Sequence, residues 1–229
     1  MRIETVARVI PFAVFMAIIG VGEALSMLAR LLNFSLPGQD ILYLYPIRAI
    51  TAGILLWVFR SRYSELSFSD LGRPMHTLLS ILLGILVFIV WITLNLPFTL
   101  TPSLATGYDP TLFPEGGVRM AMISVRVVGA VIIVPIMEEL FWRSFLTRYL
   151  ISNSFTTVEI GTFTLSSFLI TSVLFGLEHN LIIAGILAGI IYNAILFYTK
   201  NLSQCVLSHL ITNALLAGYV IFTNQWSFW

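Results

Sequence analysis

Long apolar stretches, separated by short polar segments, organise the chain. A helix needs roughly 20 apolar residues, within a range of about 17–25, to cross a bilayer. Seven stretches approach or reach that length, at about Ile10–Leu32, Ile41–Phe59, Leu78–Leu96, Val118–Leu150, Phe163–His179, Leu181–Thr199 and Leu202–Phe222. The runs are continuous rather than alternating, which favours helices over a barrel, because backbone polar groups in hydrocarbon must be satisfied internally. The pattern therefore predicts an all-α transmembrane bundle of about seven spans.

Three of these stretches are irregular. Val118–Leu150 is long enough to overshoot a bilayer, or to form two helical pieces joined near Pro135, which would give an eighth span. Phe163–His179 and Leu181–Thr199 are short and closely joined, so we expect them to be tilted or partly re-entrant. The second half of the chain thus departs from a regular bundle.

Composition agrees with a membrane protein and narrows its class. Hydrophobic residues make up 58% of the 229 residues and charged residues only 10%, whereas soluble domains are typically about 25% charged. The length fits a single transmembrane domain over residues 1–229. A net charge of +1 argues against a nucleic-acid partner. The single cysteine, Cys205, excludes an intrachain disulfide and a cysteine-rich metal cluster.

Basic residues predict the orientation, because they favour the cytoplasmic side of a membrane. The loops Asn33–Asp40 and Pro97–Gly117 contain none. The residues that agree on a cytoplasmic N-terminus and an outside C-terminus are Arg2, Arg8, Arg60, Arg62, Arg73, Arg143, Arg148 and Lys200. Because the N-terminal apolar stretch is followed by no clear small-residue cleavage site, we expect it to be a retained first span. The residues that count against this orientation are Arg30, Arg48, Arg119 and Arg126.

Three charges stand together in the fourth stretch, within the sequence VPIMEELFWRSFL. Charges inside a span cost several kcal/mol and mark function by default. Glu139 and Arg143 are four residues apart in the favourable order for an ion pair, whereas Glu138 points about 100° away from Glu139. A carboxylate without a local partner in a low-dielectric site suits general acid–base chemistry. Alternatively, all three charges form a structural network between helices.

Two further polar motifs follow in later stretches. In LFGLEHN, Phe175 and His179 are four apart, and Glu178 stands beside the histidine as a partner or a second acid. In LSHLITN, His209 and Asn213 are four apart, and such a polar pair faces a bundle interior or a wet cavity rather than lipid. Both side chains can donate hydrogen bonds to an oxyanion. The alternative is that these residues make interhelical hydrogen bonds, each worth about 0.6 kcal/mol.

Other catalytic machinery has weaker support in the sequence. Cys205 lies four residues before His209, which would suit a thiol nucleophile, but a small buried filler is the favoured interpretation. The chain has no HExxH helix, no GxGxxG motif and no Walker loop. Two histidines and one glutamate could ligate zinc, although no spacing signature points to such a site.

Together, the three motifs resemble a known family. EELFWR at Glu138–Arg143 matches EExxxR, FGLEH at Phe175–His179 matches FxxxH, and HLITN at His209–Asn213 matches HxxxN. In this order, on three hydrophobic helices, they resemble the CAAX protease and bacteriocin-processing family of intramembrane glutamic endopeptidases, which includes the type II CAAX prenyl endopeptidases. The flanking PIMEELFWRSFL resembles in particular the bacterial CAAX-protease-related proteins that accompany exosortase sorting systems.

The resemblance implies that residues 118–222, which carry the three motifs, are the catalytic core. It also implies a role for each motif residue. Glu138 would be the general base that activates a water molecule, and His179 would hold or polarise that water. His209 and Asn213 would form the oxyanion site. The supporting residues would be Glu139, Arg143 and Phe175. No metal and no other cofactor is implied.

These residues must meet in space if they share one reaction. At a rise of about 1.5 Å per residue, His179 would lie roughly 24 Å from Phe163, whereas His209 would lie only about 10 Å into the seventh stretch. We therefore expect the fifth helix to be displaced or tilted. The catalytic interpretation requires the two imidazoles to lie within about 12 Å of each other, because both must reach one water or substrate.

The sequence thus predicts an intramembrane endopeptidase that acts on a membrane-associated protein or peptide within the lipid bilayer. The narrower resemblance implies a bacterial plasma membrane and an exosortase-type sorting system as partner. The alternative is a non-catalytic scaffold, an immunity factor or a partner of a sorting or export enzyme, whose polar residues hold helices together. A small transporter fits less well, because no matching pair of broken helices is evident.

Overall fold

Seven helices form the chain in a computed structural model that describes residues 3–34, 38–94 and 107–229. No β-strand occurs in these ranges. The helices are α1 (Ile3–Leu31), α2 (Gly38–Arg62), α3 (Pro74–Thr93), α4 (Gly117–Tyr149), α5 (Leu165–Leu177), α6 (Ile182–Thr199) and α7 (Leu202–Thr223). Each corresponds to one predicted apolar stretch, so the all-α transmembrane bundle is confirmed. The predicted end of the third stretch at Leu96 and residues 97–106 of the loop Pro97–Gly117 lie outside the described residues.

Six of the helices are long and apolar enough to cross a membrane, and α5, with 13 residues, is shorter. Large apolar side chains are exposed on the outer faces of these helices, for example Ile54, Trp57 and Leu82. In water such a surface would be unfavourable, whereas hydrocarbon accommodates it. The chain is an integral membrane protein.

Helix α4 runs without a break past Pro135, but its register changes twice. Residues Gly129–Ile133 and Leu140–Leu146 are π-helical, and the N–H of Val134 donates to the carbonyl of Gly129, five residues earlier. Of the two predicted forms, one long helix or two pieces, the long helix is therefore observed. Because π-helical turns are rare and frequently accompany functional sites, the two segments on either side of Glu138 mark this region.

Glycines allow α5 and α6 to pack backbone against backbone. A methyl group on Gly176 would lie 2.6 Å from the backbone nitrogen of Ile186, and one on Gly185 would lie 2.9 Å from the Cα of Gly176. Small residues at such a contact are typical of membrane helix pairs. The side chain of Asn193 also donates from α6 to the hydroxyls of Thr171 and Ser172 on α5. This hairpin holds the turn that carries His179.

At one end of the bundle, a buried ionic group joins α1, the loop after α2, and α4. We call Arg8, Glu65, Ser144 and Arg148 the Arg8 cluster. Arg8 donates two hydrogen bonds of 2.7 Å to the two carboxylate oxygens of Glu65. Ser144 also donates to Glu65, and Arg148 donates to the Ser144 hydroxyl over 2.7 Å. The charges here are satisfied within the chain.

Candidate active site

A cavity of about 200 Å³ lies inside the bundle and is lined by residues of all seven helices or of the turns that follow them. The four residues that the sequence predicted as catalytic all line it, namely Glu138, His179, His209 and Asn213. Glu139 and Arg143 lie behind its wall, where both side chains are fully buried. The structure therefore brings residues from α4, α7 and the α5–α6 turn to one site.

Glu138 lies at the base of this cavity with a free oxygen. Its residue exposure is 7%, and its Oε2 atom has no hydrogen-bond partner among the described residues. The Nε2 atom of His209 lies 3.9 Å from that oxygen. A buried carboxylate oxygen without a donor is costly in a protein interior, so the site favours a water molecule or a substrate group at this position.

Glu139 pairs with Arg143, as the four-residue spacing predicted. The Nη1 atom of Arg143 lies 3.1 Å from Oε1 of Glu139, and the same oxygen lies 2.9 Å from Nδ1 of His209. Because a carboxylate only accepts hydrogen bonds, Nδ1 of His209 carries a proton. The Nε2 atom of this ring is then directed to Glu138. Glu139 thus orients His209 as well as neutralising Arg143.

Two aromatic rings enclose the Arg143 guanidinium. Its Cζ atom lies 4.2 Å from the ring centroid of Phe175 and 5.2 Å from that of Tyr192. Tyr192 also stacks on the imidazole of His209, with centroids 4.9 Å apart and planes 22° apart. Phe175, the first residue of the FxxxH motif, therefore supports the site through Arg143. Cation–π contacts of this kind stabilise a charge that is removed from water.

His179 reaches the site from just beyond the end of α5. The helix ends at Leu177, and the Nδ1 atom of His179 lies 2.7 Å from the carbonyl oxygen of Phe175, which turns the imidazole back along the helix. The ring of Phe175 lies 4.8 Å from that of His179 and 6.1 Å from that of His209, between centroids. The two imidazoles are therefore closer than the 12 Å that the catalytic interpretation required.

Asn213 is held by an irregularity of α4. In the π-helical register, the carbonyl of Ala130 would accept from residue 135, but Pro135 has no N–H group. The Nδ2 atom of Asn213 donates to this carbonyl over 2.8 Å. Because an amide nitrogen carries two hydrogens, the second one is available to another acceptor in the cavity.

Glu178 lies at the edge of the site. The sequence suggested two roles for it, a partner of His179 or a second acid. The indole N–H of Trp142 donates to its Oε1 atom over 3.0 Å. Burial raises the pKa of Glu178 to about 8, and burial lowers the pKa of His179 to about 4. Burial therefore favours the protonated form of the Glu178 carboxyl group and the neutral form of the His179 imidazole near neutral pH.

One group of described residues has the composition of a metal site. Donor atoms of Glu138, Glu178 and His179 lie within 4.8 Å of one another. Tetrahedral ligands about 2.0–2.1 Å from a zinc ion lie roughly 3.4 Å apart, so these three groups would have to move closer to bind zinc. The two-histidine, one-glutamate set considered from the sequence is a different group.

Sequence reasoning did not assign several residues of the site. Tyr192 stacks on His209 and Trp142 donates to Glu178, yet an aromatic residue in an apolar helix gives no signal of its own. Arg48 and Arg126 line the cavity, although the sequence placed them only as exceptions to the charge rule. Cys205 is completely buried, points to the backbone carbonyl of Tyr192, and does not line the cavity.

Residues 120–215 match the family model described as type II CAAX prenyl endopeptidase Rce1-like. This segment contains all three motifs, so the resemblance to the CAAX protease family is confirmed over these residues. Comparisons with curated proteins and with solved structures returned no match.

Proposed function

Given the family match over residues 120–215, we propose that the chain is a CAAX-type intramembrane endopeptidase in which Glu138 activates water without a metal ion. Its substrate is a membrane-associated protein or peptide. The observation that carries the proposal is the shared cavity, because one small space holds a free carboxylate oxygen, two imidazoles and an amide donor. A scaffold needs hydrogen bonds between helices but has no need of a free carboxylate oxygen.

Glu138 has the geometry of a general base. The unpartnered Oε2 atom faces the cavity, and the neutral imidazole of His179 can accept a hydrogen bond from the same water molecule at Nε2. Glu138 removes one proton from the water as the oxygen attacks the peptide carbonyl carbon. The proton then passes from Glu138 to the leaving nitrogen as the C–N bond breaks. Both products leave the site, and Glu138 regains its initial charge.

His209 and Asn213 stabilise the oxyanion that forms on the carbonyl oxygen. Asn213 offers its second amide hydrogen, since the first is fixed by Ala130. His209 holds one proton on Nδ1 toward Glu139, so donation from Nε2 requires the doubly protonated ring. With Glu138 and Glu139 ionised and Arg143 charged, that imidazolium makes this group of four electrically neutral. Oxyanion donors of this kind are each worth about 10²–10³ in kcat.

The cellular setting is part of the proposal. The distribution of basic residues favours a cytoplasmic N-terminus and an outside C-terminus in a bacterial plasma membrane. The sequence around Glu138 supports an exosortase-type sorting system as partner.

Cleavage by the purified protein tests the proposal. The full chain in proteoliposomes would be incubated with a library of randomised hydrophobic peptides, each with an N-terminal acyl chain, and new peptide termini would be identified by mass spectrometry. We expect Glu138→Gln to reduce cleavage by about 10²–10⁴-fold, the usual contribution of a general base.

The control is Glu159→Gln, which changes an exposed glutamate of the α4–α5 loop. It should cleave at the wild-type rate. Equal cleavage by wild-type protein and Glu138→Gln would contradict the proposal, and the absence of any cleavage by the wild type would favour a scaffold.

A further inference from the structure

Tyr192 of α6 lies at the centre of the active site, although none of the three motifs contains it. The residue is 1% exposed and lines the cavity. Its ring stacks on the imidazole of His209, faces the guanidinium of Arg143, and meets the ring of Phe175 edge to face at 82°. Tyr192 therefore contacts one residue from each motif, and those three residues come from three different helices.

A hydrogen bond fixes the hydroxyl end of this ring. The hydroxyl of Thr212 on α7 donates to a backbone carbonyl, that of Gly84 on α3 over 2.8 Å or that of Ser208 over 3.1 Å. Because a hydroxyl has one hydrogen and a carbonyl only accepts, the hydroxyl of Tyr192 is the donor in its 2.9 Å contact with Thr212. The phenol ring is thus held at the junction of α3, α6 and α7.

The contact between α3 and α7 at this junction is a close one. A methyl group on Gly84 would lie 2.5 Å from the carbonyl oxygen of Ser208, so only a glycine allows the two backbones to approach in this way. Small residues at such contacts are typical of tightly packed membrane helices. Thr212 lies one turn after Ser208 on the same helix. The acceptor of the Tyr192 hydroxyl therefore belongs to a rigid part of the bundle.

The imidazole of His209 needs a second restraint. Among the described residues it has one hydrogen bond, from Nδ1 to Glu139, while its Nε2 atom lies 3.9 Å from Glu138. One hydrogen bond fixes one atom but leaves the ring free to tilt about it. The Tyr192 ring covers a face of the imidazole at 4.9 Å and 22°, which restricts that tilt. An aromatic face also attracts a cation, so it favours the imidazolium that donation from Nε2 requires.

We infer that Tyr192 is a positioning residue that holds the plane of the His209 imidazole and so directs Nε2 into the cavity. The inference rests on the proposed function, in which His209 stabilises the oxyanion. Tyr192 supplies no proton to the reaction, because its hydrogen is donated to Thr212. Oxyanion donors act at about 2.7–3.1 Å from the developing charge, and a misplacement of about 1 Å can cost about 10²-fold in rate. The ring therefore affects kcat more than substrate binding.

Substitutions that separate the ring from its hydroxyl test the inference. We expect Tyr192→Leu, which removes the ring, to lower kcat per folded protein by about 10- to 100-fold with little change in KM. Tyr192→Met replaces it if the leucine variant does not fold. Tyr192→Phe keeps the ring, so its kcat should stay within about threefold of wild type, the equivalent of one interhelical hydrogen bond. The control is Tyr198→Leu, which changes a tyrosine of α6 that is 63% exposed and should leave kcat unchanged. An unchanged kcat in Tyr192→Leu, or an equal loss in Tyr192→Phe, would overturn the inference.

A double-mutant cycle separates positioning of His209 from general support of the bundle. In an Asn213→Ala background, Tyr192→Leu should cause its full loss of kcat. In a His209→Ala background it should cause no further loss, because the group that Tyr192 positions is absent. Equal losses in the two backgrounds would show that Tyr192 does not act through His209.

Nuclear magnetic resonance of the full chain with isotope-labelled histidine separates failure of the inference from failure of the proposed function. The Nδ1–H signal of His209, identified by its absence in His209→Ala, reports the hydrogen bond to Glu139 without any cleavage. We expect this signal in the wild type and in Tyr192→Phe, and its broadening or loss in Tyr192→Leu. An unchanged signal in Tyr192→Leu would overturn the inference and leave the proposed function intact. If the wild type cleaves no peptide, the proposed function fails, whereas a signal that depends on the Tyr192 ring still shows that Tyr192 orients His209.

Discussion

The Arg8 cluster and the active-site cavity are two polar regions to which α4 contributes. They differ in whether their buried charged groups have hydrogen-bond partners. In the Arg8 cluster, both oxygens of Glu65 accept from Arg8, and Ser144 links Glu65 to Arg148. In the cavity, Glu138 keeps an oxygen without a donor. Ser144 and Glu138 are only six residues apart on α4. Oε2 of Glu139 and two nitrogens of Arg143 behind the cavity wall also lack a partner among the described residues. Burial alone therefore does not distinguish the two regions, whereas the completeness of their hydrogen bonds does.

The comparison assigns stability to one region and chemistry to the other. A complete buried ion pair contributes little net stability, because desolvation offsets its attraction, but the loss of one partner destabilises the fold strongly. A buried group that is incomplete destabilises the fold already and is maintained by what it does with a ligand. The following changes test this division, from the largest expected effect to the smallest.

Removal of the Glu65 charge from the Arg8 cluster should destabilise the fold. Glu65→Gln removes the buried anion that Arg8 and Arg148 share and leaves Arg8 only the partly exposed Glu4, so we expect the free energy of unfolding to fall by about 3–5 kcal/mol. Glu4→Gln is the matched control, because Glu4 pairs with the same arginine but its side chain is 31% exposed. It should cost less than about 1 kcal/mol. Denaturation in mixed micelles measures both, and equal losses would contradict the division.

Removal of the Asn213 amide should damage chemistry and spare the fold. We expect Asn213→Ala to lower kcat by about 10²–10³-fold, because one oxyanion donor is lost. Its hydrogen bond to Ala130 is an interhelical bond in a membrane protein, so stability should fall by only about 0.6 kcal/mol. Steady-state kinetics and unfolding of the same sample give both values. A large loss of stability with unchanged kcat would place Asn213 with the structural residues.

The edge of the cavity should respond to alkaline pH. The pKa of Glu178 is raised to about 8 by burial, so its carboxyl group is neutral below this pH and ionised above it. Ionisation places a negative charge beside Glu138 and His179, and we expect kcat/KM to fall as pH rises through about 8. Glu178→Gln cannot ionise and should remove this decline. A decline of the same size in both proteins would exclude Glu178 as its cause.

Removal of metal should have the smallest effect. If Glu138 activates water directly, prolonged dialysis against a chelator leaves the cleavage rate unchanged. The relevant group for a metal would be Glu138, Glu178 and His179. A loss of activity that is restored by added zinc, but not in Glu178→Gln, would replace the metal-independent mechanism with a metal-assisted one.

Much of the fold was predictable because hydrocarbon permits few structures. Continuous apolar runs gave all seven helices, and the limits of α6 and α7 differ from prediction by one residue at most. The π-helical segments of α4 were not predictable, since only Pro135 signals a change and the register depends on contacts with α7. The orientation of His179 also depends on where α5 ends, which the apolar pattern placed two residues too late.

The candidate site was predictable only in part. Spacing predicts which charged residues of one helix meet, but not which charged residues of different helices meet. Spacing correctly paired Glu139 with Arg143, because both residues are on one helix. Arg48 and Arg126 lie on different helices, and the positive-inside rule counted them only as exceptions. Their shared position over Tyr45 requires the fold.

The two π-helical segments make the length of α4 as important as its composition. Each added residue turns a helix by about 100°, so the number of residues between two points decides which side chains face the same way. Deleting one residue within Gly129–Ile133 or within Leu140–Leu146 would restore the α-helical register of that segment and improve its local hydrogen bonding. It would also rotate Glu138 relative to either Arg126 or Arg143. A substitution between Gly129 and Leu146 therefore alters single contacts, whereas a change in the number of residues there would separate the side chains that form the site.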